Sequence, residues 1–139
     1  MMVSISIHYW REKQKKIENL EFIEYVPFDE IDEYFQKAKI FVNTSIKEGF
    51  PNTFIQAAKN KTPIISLNVN PDNFLNEYNC GFCSNDDFGE MNKILNKVLN
   101  DDDLYKQISE NVCNYAKGNH DIEKNAGQLY RLIVGSKWW

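Results

Sequence analysis

The chain has 139 residues, long enough for one domain with a single core. Hydrophobic residues make up 42% and charged residues 26%, ordinary globular usage that excludes a disordered or fibrous chain. The net charge of -4, with no long basic run, disfavours nucleic-acid binding by phosphate neutralisation.

Val3, Ile5 and Ile7 alternate with Ser4 and Ser6, which predicts a strand. Residues 9–17 suit a polar helix whose wet face carries Arg11, Lys13, Lys15 and Lys16. Residues 20–26 read as a second strand, closed by Pro27. Residues 29–37 follow as a helix, with Ile31, Tyr34 and Phe35 at helical spacing, and residues 40–43 as a short third strand. Residues 44–50 form a loop. Pro51 suits the first position of the next helix, where its missing N–H would have no partner anyway, and that helix runs through residues 52–60.

A fourth strand spans residues 63–67, a turn-rich stretch 68–72, one or two helical turns 73–78, and a fifth strand 81–84. The remainder is helical. Residues 88–99 place Met91, Ile94, Leu95, Val98 and Leu99 on one face. Asp101, Asp102 and Asp103 open the next helix, favourably for its dipole, and it ends near Lys117 at Gly118 and Asn119. A last helix spans 121–133, and 135–139 is a tail ending in Trp138 and Trp139.

Strands separated by helices predict βαβ crossovers: an α/β fold with a mainly parallel sheet of about five strands and helices on both faces. The whole chain reads as one domain. Phe22, Phe28, Tyr34, Phe35, Phe41 and Phe54 are expected mostly in its core. Cys80 and Cys83 are three apart in an apparent strand, so their side chains point to opposite faces and share neither a metal nor a disulfide. With Cys113 they make an odd count that suits a reduced, cytoplasmic protein. No secretory signal is visible, and no apolar run nears the roughly 20 residues of a membrane span. His120 is expected in a capping or solvent contact at a helix junction. Asp86, Asp87 and the 101–103 aspartates suit helix starts better than a metal site.

Ligands of parallel α/β sheets bind at the carboxyl ends of strands, which singles out the loop 44–50. The N–H groups and positive dipole end of the helix beyond it suit a phosphate. Gly49 permits a tight turn and close approach of the backbone. Glu48 offers a carboxylate to hydroxyl donors, and Gln56 can reach back toward the same end. A sugar diphosphate joined to a nucleoside presents hydroxyls, phosphates and hydroxyls in that order.

The stretch Glu48-Gly49-Phe50-Pro51-Asn52 resembles the signature of group 1, family 4 glycosyltransferases, which runs E-G-F-P/G into a helix and ends in a second glutamate eight residues after the first. Other segments resemble that family in the right order: 22–27 its strand ending in V-P, Ala38-Lys39-Ile40-Phe41-Val42 its A-D-V-F-V strand, 60–66 its G-x-P-V-I strand, and Cys80-Gly81-Phe82 with Asp86 and Asp87 its following glycine region. The resemblance covers residues 20–133. It implies the Rossmann-like donor half of a GT-B fold and retaining transfer from a nucleotide sugar, with no metal and no cofactor besides that substrate. Glu48 would bind sugar hydroxyls. The backbone of Gly49, Phe50, Pro51, Asn52 and Thr53 would face sugar and diphosphate. Gln56 would meet the ribose, and Tyr25 with Val26 would lie near the base.

Three departures qualify that implication. Gln56 replaces the second glutamate. A neutral in place of a charged hydrogen bond weakens binding by about 1 kcal/mol, roughly fivefold. The family's first strand-helix unit, with its arginine and lysine five residues on, is not evident; Arg11 and Lys16 share that spacing by coincidence, in a different context. The acceptor-binding domain, which would supply the acid-base groups, does not fit in a chain of this length. The expectation is therefore no complete catalytic set in this chain, an inactive isolated chain, and an acceptor-binding domain or subunit as partner. That partner would mediate any contact with the inner membrane face. A noncatalytic interaction module derived from such an enzyme is the alternative.

Overall fold

The computed structural model describes residues 7–135, with side chains described from Arg11 onward. The expected strand at 3–7 lies outside the described residues except for Ile7, which opens a helix instead. Trp138 and Trp139 also lie outside them. The chain separates into two compact units, Met1–Ile31 and Asp32–Trp139.

In the first unit, α1 (Ile7–Gln14) is a short polar helix. Arg11 forms an exposed ion pair with Glu24. Residues 20–26 form no strand. The Leu20 amide donates to the Ile17 carbonyl (3.2 Å) and the Phe22 amide to Gln14 Oε1 (3.1 Å). A strand exists only as a member of a ladder, and these amides are engaged by local acceptors. Phe28, expected in the core, is 83% exposed.

The second unit is built on three short strands, β1 (Phe41–Asn43), β2 (Ile64–Ser66) and β3 (Gly81–Cys83), in the order β1-β2-β3 and all parallel. Val42, Ile65 and Phe82 share one register row, and Asn43, Ser66 and Cys83 the next. Among the described residues three strands stand where about five were expected: the one at 20–26 is not formed, and the one at 3–7 lies outside those residues except for Ile7. β2 is buried throughout, as a central parallel strand with both faces covered requires. Gly81 is needed for the closeness of β3: a Cβ there would stand 2.0 Å from the Ile64 carbonyl oxygen.

Strand alternation assigns the helices to opposite faces. Phe41 meets Phe54 of α3 (Asn52–Lys59) edge-on at 6.0 Å and Phe35 of α2 (Ile31–Lys37) at 5.3 Å. Ile65, one step along the ladder, packs instead with Leu67, with Met91 and Val98 of α5 (Phe88–Asn100), and with Ile108 of α6 (Asp102–Asn119). A single 3-10 turn (Pro71–Asn73) and α4 (Phe74–Glu77) lead from β2 toward β3. Tyr34, expected in the core, is 45% exposed, and Leu99, grouped on one helix face with Met91 and Val98, is 42% exposed.

The helix ends carry their own chemistry. Asp87 and Asp101 accept from the Glu90 and Leu104 amides (both 2.9 Å), capping α5 and α6. At the end of α3, Lys61 donates to Ala58 and Thr62 to Ala57, the paired bonds of a Schellman motif, with Lys61 at φ 59. α6 passes through Gly118 and stops at Asn119, two residues beyond the expected end. The final helix, α7 (Ile122–Gly135), buries none of its residues; Ile122, Leu129, Tyr130, Leu132, Ile133 and Val134 are all exposed. No helix among the described residues is long and apolar enough to cross a membrane.

Candidate functional site

Because the strands are parallel, the loops 44–50, 67–70 and 84–87 gather at one edge of the sheet. Backbone bonds tie them laterally: Leu67 donates to Asn43 (2.8 Å), Ser84 to Ser66 (2.9 Å) and Asp86 to Leu67 (2.8 Å). Side chains complete the edge. Buried Asn43 accepts the Ser45 amide through Oδ1 (2.8 Å), and Asn68 Nδ2 donates to the Ile46 carbonyl (2.8 Å). Ser66 Oγ accepts the Val69 amide (3.0 Å), and Ser84 Oγ donates to the Leu67 carbonyl (3.2 Å).

α3 starts where the first of these loops ends. Pro51 is its N-cap, not its first helical residue: its ψ of 130° is extended, and its ring carries no acceptor, so no side chain caps the first turn. Asn52 is exposed and Thr53 half-buried, and the Phe54 amide folds back to the Pro51 carbonyl (3.0 Å). The amides and dipole of this tip suit an anion. Glu48 is exposed and makes no hydrogen bond or ion pair among the described residues, which leaves its carboxylate free for hydroxyl donors. Gly49 lies in a bend of the loop, but the bend does not use glycine's conformational freedom. Its φ lies outside the left-handed region, and open space surrounds the position of a Cβ, so any benefit of glycine here is close approach from outside.

Gln56 sits in the second turn of α3, half-buried, with its carbonyl accepting from Asn60 Nδ2 (2.9 Å). Side chains on a helix lean toward its N-terminus, the direction of the loop. Glu48, Gly49, Phe50 and Asn52 are exposed and Thr53 is half-buried, whereas Pro51 is buried; Gln56 follows one turn beyond. Tyr25 (78% exposed) and half-buried Val26 belong to the first unit.

Sequence reasoning missed Asn43 and Asn68 as loop fasteners; asparagines closing two successive strands were the available signal. His120, expected in a capping or solvent contact, is the C-cap of α6; its packing went unforeseen, with its ring 5.3 Å from Phe50 and 5.4 Å from Tyr115. Burial lowers its pKa below the ordinary histidine value, so the ring is neutral near pH 7. Cys80 is buried with its thiol near the Tyr78 carbonyl (3.6 Å), whereas Cys83 approaches the Leu67 carbonyl (3.9 Å); both are free thiols.

A three-stranded parallel sheet flanked by helices, with an uncapped helix tip and a free carboxylate at its strand ends, fits a Rossmann-like fold. The family model for glycosyl transferases group 1 matches residues 6–114, and the chain belongs to that family. No curated protein and no solved structure matches it.

Proposed function

We propose that the chain is the nucleotide-sugar-binding half of a retaining group 1 glycosyltransferase of GT-B architecture and family 4 type. The observation that carries this reading is the conjunction of exposed, unpartnered Glu48 with the uncapped tip of α3. Glu48 takes the sugar hydroxyls, the backbone from Gly49 to Thr53 takes sugar and diphosphate, and Gln56 takes the ribose. The acceptor and the acid-base groups come with a partner domain or subunit, so the chain alone transfers no sugar. The exposed apolar residues of α7 support such a partner, since contiguous apolar surface of this kind marks association sites.

The alternative, a noncatalytic interaction module, draws on two observations. Gln56 carries no charge, and the Arg11 guanidinium is engaged by Glu24. Thermal shift and calorimetry with UDP- and GDP-sugars separate the two readings. Glu48→Ala is expected to weaken donor binding by about ten- to hundredfold, the loss of a charged hydrogen-bond acceptor. A wild-type chain that no nucleotide sugar stabilises refutes the donor-binding reading.

A further inference from the structure

The loop 44–50 is held unevenly. Its first half is fastened by Asn43 to Ser45 and by Asn68 to Ile46. Lys47, Glu48 and Gly49 make no hydrogen bond among the described residues. The next attachment along the chain is the Phe50 ring, which enters an aromatic cluster drawn from several elements. Its centroid lies 5.3 Å from Phe74 and 5.3 Å from His120. Phe74 in turn stacks on Tyr115 at 4.8 Å and touches Phe54 of α3 at 5.9 Å.

His120 is the member of this cluster best fixed from behind. Its amide donates to the Ala116 carbonyl (2.8 Å) at the end of α6, and its Nε2 lies 3.4 Å from the Tyr115 hydroxyl. The same residue lines a cleft of about 420 Å³ with Lys59, Lys117, Asp121 and Glu123, so its ring lies between solvent-accessible space and the loop's aromatic anchor. It lies beyond the stretch that the family match covers. Phe74, by contrast, is core, 2% exposed, and its loss would disturb the whole unit.

We infer that His120 is a positioning residue: by bracing Phe50 it sets where Glu48 and Gly49 stand at the strand ends. The inference rests on reading this loop as the donor-binding segment. Its purpose there is to limit the positions that the Glu48 carboxylate explores before a sugar arrives.

The test is the backbone amide NMR order parameters of residues 47–50 in the ligand-free full chain. His120→Ala is expected to lower them from the rigid range of about 0.85 toward the flexible range below about 0.6. His120→Phe, which keeps a ring, is expected to restore them. Val98→Ala, in the core on the other face of the sheet, controls for general loss of stability. Unchanged loop order parameters in His120→Ala, or a fall no larger than in Val98→Ala, overturn the inference, as does failure of His120→Phe to restore them. Thermal shift with UDP-glucose and GDP-mannose runs alongside. A wild-type chain that neither stabilises overturns the donor reading instead, and the order parameters tell the two failures apart.

Discussion

Lys61→Gly should stabilise this protein. Lys61 occupies the C′ position of the Schellman motif that ends α3, at φ 59, where an L side chain crowds the following carbonyl. The left-handed conformation costs a non-glycine residue roughly 1–2 kcal/mol. Glycine removes that cost but loses about 0.5–1 kcal/mol through the greater freedom of its unfolded chain. The difference is a net gain of about 0.5–1 kcal/mol, or roughly 2–4 °C in Tm for a chain of this size. Lys61 is exposed and makes no salt bridge among the described residues, so little else is lost. Urea denaturation at fixed pH reads the change as a higher midpoint with an unchanged m-value. An unchanged or lower midpoint would refute the strain argument. The candidate site lies at the other end of α3, so on the proposed donor reading nucleotide-sugar affinity should stay the same.

Gly81→Ala should prevent folding or displace β3, because the added methyl would sit 2.0 Å from the Ile64 carbonyl oxygen; retention of a wild-type circular dichroism spectrum and melting curve would contradict the packing described. Burial pushes the Cys80 thiol from 9.0 up to about 12. The folded state therefore keeps its proton over a range where the unfolded chain releases it. This contribution to stability is fully present below about pH 9 and is lost as pH rises toward about 12. Cys80→Ala should give a shallower alkaline loss of stability in urea titrations, and an identical slope would remove the thiol from the account.

What the sequence made legible follows from how local each signal is. The strands at Phe41–Asn43, Ile64–Ser66 and Gly81–Cys83 are short apolar runs bounded by turn residues, and all three formed. The extended pattern read in residues 20–26 does not say whether a neighbouring strand is present to accept the amides. There the local acceptors Gln14 and Ile17 prevailed. The same limit applies to buried aromatics. Helical spacing grouped Tyr34 with Phe35, yet only Phe35 reaches Phe41. At the candidate site, the loop and its helix were legible because the Gly-Phe-Pro run marks a chain reversal into a helix. The contact of His120 with Phe50 was not, since seventy residues separate them and no periodicity links a helix end to a loop.

The lateral ties among the three strand ends bear on the thermodynamics of whatever binds there. Asn43, Leu67, Ser66, Ser84 and Asp86 already hold one another through backbone bonds, so the rim of this edge is ordered before any ligand arrives. Immobilising a flexible side chain on association costs about 0.5–1.5 kcal/mol; on the proposed donor reading that penalty falls on Glu48, Gln56 and the unfastened stretch 47–49. Association at this rim should therefore show a small entropic opposition, confined to that short stretch and two side chains.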